Sequence, residues 1–107
     1  MSPELTTISN LIRNGIYIFS THAYERLSSR GIRIGQFETA VGADAPVIIE
    51  DYPLDRRGYS CLILGWYEPD EPLHTQIALV EGDSRAKVIT AYRPDLLKWY
   101  DDFRRRR

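Results

Sequence analysis

The sequence predicts an α+β domain: an antiparallel sheet of three to four strands, with helices that precede it and one helix that follows. Three observations point there. Leu5, Ile8, Leu11 and Ile12 recur at the spacing of one helix face. From Val47 the pattern shifts to extended and alternating runs separated by hairpin-length connections. After Pro94, the residues Leu96, Trp99, Tyr100 and Phe103 return to helical spacing. Helices, then strands, then a helix imply helices packed on an antiparallel sheet. The 107 residues suit one domain, residues 1–107, with a single core and no linker or internal repeat.

Pro3 fits a first helical position, and Asn14-Gly15 supplies the stop of the opening helix. Ile16-Tyr17-Ile18-Phe19 is β-branched and aromatic but short, so it reads as an edge strand or an extended lead. Thr21 to Gly31 predicts a short helix with Thr21 as N-cap and Gly31 just past its end. Ala23 and Leu27 form its apolar stripe. Ile34, Phe37, Ala40 and Val41 predict another short helix closing near Gly42. Val47 to Tyr52 is a strand followed by the Arg56-Arg57-Gly58 turn, and the apolar run Tyr59 to Trp66 reads as the central strand. Glu68-Pro69-Asp70-Glu71-Pro72 lacks the spacing of a calcium loop and reads as a solvated turn. Leu73 to Val80 is the next strand, with His74, Gln76, Ala78 and Val80 on one face. After a turn at Glu81-Gly82-Asp83-Ser84, Lys87 to Tyr92 places Val88, Thr90 and Tyr92 together, opposite Ile89 and Ala91. The stripe that ends at Phe103 is expected to dock on the sheet as a C-terminal helix, with Arg104 to Arg107 complementing its negative end.

A net charge of −1 is unlike the strongly basic body of a nonspecific nucleic-acid binder, so any such contact must come from a local patch. The single cysteine, Cys61, lies in an apolar run, which predicts a small buried hydrophobe in a reducing compartment. No basic leader precedes an apolar segment, and no run reaches membrane-spanning length. A cytoplasmic protein without membrane contact is expected. Two distant histidines and one cysteine offer no metal-ligand spacing, and no glycine-rich loop opens a helix after a strand, so neither metal nor cofactor is expected.

His22, Arg26 and Arg30 recur every four residues and would share one helix ridge. The plain reading is a solvated face. The chemical reading is metal-independent RNA cleavage, which needs a base for a 2′-hydroxyl, cations for the phosphorane and an acid for the leaving oxygen. An imidazole is the side chain suited to either proton-transfer role, which His22 or His74 could take, Arg26 and Arg30 present forks for phosphate oxygens, and Thr90 and Tyr92 would face the same way on one strand. Their roles are interchangeable at this level, and the plain reading of Arg93 beside them is a contact to the following helix alone.

His22-Ala23, Glu25-Arg26, Arg30-Gly31-Ile32, Val47 to Tyr52, Leu64-Gly65, Pro72-Leu73-His74, and Val88 to Asp95 with Trp99 together resemble the DUF4258 family. The resemblance spans most of the chain, leaving out the opening helix and the arginine tail. It implies a fold similar to the barnase, EndoU, colicin and RelE group of RNA-cleaving toxins. It also implies a YgiT-type zinc-finger antitoxin as partner. Carried over by residue, it points to His22, Arg26, His74 and Tyr92 for chemistry and to Arg30, Thr90 and Arg93 for substrate binding. The function it implies is a toxin-like, metal-independent ribonuclease of the mRNA interferase type; the rival is a noncatalytic module of the same fold that binds RNA or a protein. The mildly acidic balance departs from the basic surfaces of many ribosome-dependent toxins and leaves free RNA as the expected substrate.

Overall fold

The structure, a computed structural model, describes residues 2–43 and 45–107. Three helices, α1 (Pro3–Arg13), α2 (Thr21–Ser29) and α3 (Ile34–Gly42), accompany five strands. The strands are β1 (Tyr17–Phe19), β2 (Val47–Tyr52), β3 (Ser60–Glu68), β4 (Glu71–Val80) and β5 (Arg85–Tyr92), and they form one sheet in the order β1-β5-β4-β3-β2. The α+β class holds, but the sheet is neither purely antiparallel nor limited to four strands. β1 runs parallel to β5, pairing Tyr17 with Ala86 and Phe19 with Val88; parallel neighbours need a long crossover, which the chain from α2 to β4 supplies. β1 is thus an edge strand, as is β2 at the other side.

Ser20 rather than Thr21 caps α2: its Oγ accepts from the Ala23 amide at 3.0 Å. Arg30 closes the helix, and Gly31 follows at φ +66°, a conformation that side chains with a Cβ resist. Ala23 and Leu27 are buried, so α2 docks by its short apolar stripe and leaves His22 and Arg26 exposed. α3 lies against β3 at Gly65, where a Cβ would stand 2.0 Å from the Ala40 carbonyl oxygen. All three helices cover one sheet face, burying Ile8, Ile12, Phe37, Ile63, Leu73 and Ile77 in the main core.

Register shifts decide which side chains reach the other face. Gln76 pairs with Thr90 and Ile77 with Val88, so Ile89 is a bulge residue. Val88 therefore joins the helix-side core with Ala86 and Ala91, against the strict alternation expected from sequence, while Thr90 and Tyr92 stay opposite Gln76 and His74.

No C-terminal helix forms. After β5, residues 93–107 make a turn-rich strap that closes on itself: the Arg107 amide bonds the Lys98 carbonyl at 2.9 Å, and the Tyr100 amide bonds the Arg105 carbonyl at 2.9 Å. Asp95 accepts from the Leu97 amide and Asp102 from the Arg104 amide, both at 2.9 Å, local bonds that compete with helical pairing. Phe103 sits at φ +60°, which no continuous helix contains. Of the expected stripe only Trp99 is buried; Leu96 and Tyr100 are exposed and Phe103 is half-buried. Trp99 packs on His74 with ring centroids 4.4 Å apart and Phe103 packs on Trp66 at 5.9 Å, so the strap covers the face opposite the helices.

Candidate functional site

The end of β5, the end of α2 and the strap converge on a cleft of about 550 Å³. Arg30, Tyr92 and Arg93 line it with Asp95, Lys98, Trp99 and Arg106, which sets four cations against one carboxylate. The location follows from the fold. α2 runs alongside β5, so its C-terminal carbonyls arrive beside Tyr92, and the strap folds back to bring Arg106 over Trp99.

Each cation is held differently. Arg30 donates from Nη1 to the Ala91 carbonyl at 2.7 Å and keeps its other guanidinium nitrogens for the cleft. Arg93 donates from Nη1 to the Arg30 carbonyl at 2.7 Å, from Nη2 to Gly31 at 3.3 Å and from Nε to the Tyr67 hydroxyl at 3.0 Å. Arg93 thus neutralises the negative end of α2 and ties it to the sheet. Arg106 donates to both Glu50 oxygens, at 2.7 and 3.0 Å, with its guanidinium 4.5 Å from the Trp99 ring centre. The Arg106 guanidinium holds the Glu50 carboxyl below its usual range, burial opposes this, and the Tyr52 hydroxyl, which also donates to Glu50, adds to it. Lys98 makes no ion pair among the described residues.

Below the cleft floor lies His74, 0 % exposed. Its Nε2 is 2.7 Å from the Phe103 carbonyl oxygen and its Nδ1 is 3.2 Å from the Tyr92 hydroxyl. Burial pulls its pKa below 6.5 and Arg106 acts in the same sense, against the Phe103 carbonyl bond and Glu50. Burial likewise raises the Tyr92 phenol above its ordinary value.

Three of the residues singled out from sequence therefore line the cleft, namely Arg30, Tyr92 and Arg93, and His74 supports it from beneath. His22 and Arg26 stand outside. Arg30 follows His22 by eight positions, about 12 Å along the helix axis, so the shared ridge does not converge on one point. Thr90 is half-buried, two residues before Tyr92, and is not part of the lining. Sequence reasoning missed Lys98, Trp99, Arg106 and the supporting Glu50. The signal for Lys98, Trp99 and Arg106 is the aromatic run followed by Arg104 to Arg107, whose spacing predicts a helix with arginines at its negative end; nothing local marks Glu50.

Cys61 is fully buried and burial raises its thiol to about 12, which leaves it a packing residue. Among the described residues no three His, Cys, Asp or Glu side chains are grouped as metal ligands. None of the described helices is long and apolar enough to cross a membrane. A larger groove of about 900 Å³ between the start of α1 and β2 is mostly apolar and carries Glu4, Asp51 and Arg104. The smaller cleft gathers more charged side chains, together with Tyr92, and is the candidate site.

A family model described as "Domain of unknown function (DUF4258)" matches residues 19–93. That span contains Arg30, His74, Tyr92 and Arg93 and ends before Lys98, Trp99 and Arg106. No curated protein and no solved structure matches the chain.

Proposed function

Since the chain belongs to the DUF4258 family, whose function is unknown, its activity has to be read from its own site, and we propose that the cleft is that of a toxin-like, metal-independent ribonuclease. The observation that carries this reading is the gathering of Arg30, Arg93, Lys98 and Arg106 around the Tyr92 phenol in a cleft open enough for a nucleotide. In the reaction, the ribose 2′-oxygen attacks the adjacent phosphorus and the bond to the 5′-oxygen breaks. The 2′-proton goes to a base in the cleft, the leaving oxygen gains a proton, and a 2′,3′-cyclic phosphate remains. Charge builds on the phosphorane oxygens, where fixed cations act most strongly. Lys98 and Arg30, with donors to spare, are suited to that charge, and Tyr92 and Lys98 are the lining groups able to exchange protons. His22 and Arg26, outside the lining, take no step. A cytoplasmic setting and a small zinc-finger antitoxin that blocks the cleft belong to the same reading.

One observation favours a second reading, a noncatalytic RNA-binding module: among the described residues no imidazole lines the cleft, because His74 is sealed beneath it and His22 lies away from it. Purified protein incubated with labelled single-stranded RNA in excess chelator separates the two. The ribonuclease reading expects cleavage to cyclic-phosphate ends, reduced by orders of magnitude in Tyr92→Phe and Lys98→Ala. Salt-dependent binding without cleavage selects the binding module, and neither binding nor cleavage removes both.

A further inference from the structure

We infer that Tyr92, held by His74, selects ribose over deoxyribose by acting as a hydrogen-bond acceptor for the 2′-hydroxyl; this rests on the reading of the cleft as an RNA site. His74 is 0 % exposed, and the group at its Nε2 is the Phe103 carbonyl oxygen, 2.7 Å away. A carbonyl only accepts, so Nε2 carries the hydrogen of the neutral ring. Nδ1 is then a bare lone pair, and the hydroxyl 3.2 Å from it is that of Tyr92. The phenol spends its one proton on that nitrogen. Any further hydrogen bond that Tyr92 makes on the cleft side must be one it accepts.

The neighbours sharpen the point. Arg30, Arg93, Lys98 and Arg106 are all donors, suited to phosphate oxygens. Asp95, the other acceptor side chain of the lining, uses one oxygen on the Leu97 amide. The free oxygen of Asp95 belongs to an anion, which a phosphate repels, so Tyr92 is the neutral oriented acceptor of the lining, and the donor that stands beside a phosphate in RNA, and is absent from DNA, is the 2′-hydroxyl. Phe103 takes part through its backbone carbonyl, so the strap fixes the imidazole tautomer and, through it, the direction of the phenol proton. His74 is a positioning residue and touches no ligand.

The test uses ligands that cannot be cleaved: uridine 3′-monophosphate, its 2′-deoxy form and its 2′-fluoro form, titrated by calorimetry or NMR. Fluorine keeps the size of the group and removes the donor. The ribo form is expected to bind about fivefold tighter than either analogue, the scale of one net hydrogen bond. Tyr92→Phe should abolish the preference, so that the ribo and deoxy forms bind it equally. His74→Phe keeps a ring under Trp99 but frees the phenol proton, so the preference over the 2′-fluoro form should shrink while the protein remains folded by circular dichroism. Equal binding of all three nucleotides by the wild type overturns this inference and leaves the RNA site standing. Binding of none of them overturns the RNA site and the inference with it.

Discussion

Lowering the pH from 8 to 5 should loosen this protein before any carboxylate is protonated, because one neutral imidazole is enclosed between the sheet and the strap. His74 is 0 % exposed, its ring lies 4.4 Å from that of Trp99 and 5.2 Å from that of Tyr92, and both nitrogens are committed. Burial and Arg106 lower its pKa from 6.5, while the Phe103 carbonyl and Glu50 pull the other way. The folded protein therefore takes up its proton later than the unfolded chain does as pH falls. Between 6.5 and the depressed folded value the unfolded state binds more protons, so stability declines with acidification by about 1.4 kcal/mol per pH unit across that window. The carboxylates Glu50, Asp55 and Asp102, all held below their usual range by arginine or amide partners, add their loss only below about pH 4.5. Urea titrations followed by tryptophan fluorescence at pH 8, 7, 6 and 5 read this directly, since Trp99 is 2 % exposed against His74. His74→Gln, which keeps a donor and an acceptor but does not titrate, should flatten the curve over the same range. A wild-type midpoint that is constant or rises between pH 7 and 5, or a His74→Gln slope equal to that of the wild type, refutes the reasoning.

Gly65→Ala should destabilise by about 1–3 kcal/mol, because the new methyl meets the Ala40 carbonyl and α3 must shift away from β3; a thermal melt measures it. Thr75→Val should be neutral or raise stability by about 1 kcal/mol, since the buried Thr75 hydroxyl has no partner among the described residues; the same melt decides the sign. Lys98→Ala should leave the melting temperature within about 3 °C, as an exposed side chain without an ion pair among the described residues contributes little. It should also lower the slope of log affinity for single-stranded RNA against log salt by about 0.7, read by fluorescence anisotropy.

How much of this was legible beforehand follows from which signals are local. Pro3, the Leu5-Ile8-Ile12 stripe and Gly31 act through neighbours in the chain, so the helices and their ends could be read, and a cap misplaced by one residue, Thr21 for Ser20, is the size of error that local rules allow. β1 was legible as a strand, but its parallel pairing with β5 depends on a contact 69 residues away. Bulges hide in the same way. Nothing in Lys87 to Tyr92 marks Ile89 as the extra residue, yet it decides that Val88 enters the core while Tyr92 keeps its place beside His74. The C-terminal misreading has a particular cause. Trp99, Tyr100 and Phe103 match a helical stripe, but Asp95 and Asp102 satisfy their own backbone neighbours and Trp99 finds its partner ring on β4. The candidate site was half visible for the same reason: Arg30, Tyr92 and Arg93 sit on regular elements, whereas Lys98 and Arg106 reach the cleft only through the strap.

The most direct measurement of the central claim is a map of backbone amide shifts as a short single-stranded RNA is titrated into the labelled protein. Changes should concentrate at Arg30, Gly31, Arg93, Lys98, Trp99 and Arg106. Shifts confined to the apolar groove around Leu5, Val47, Asp51 and Tyr59, or to the exposed His22 end of α2, or no shifts at all, would contradict it.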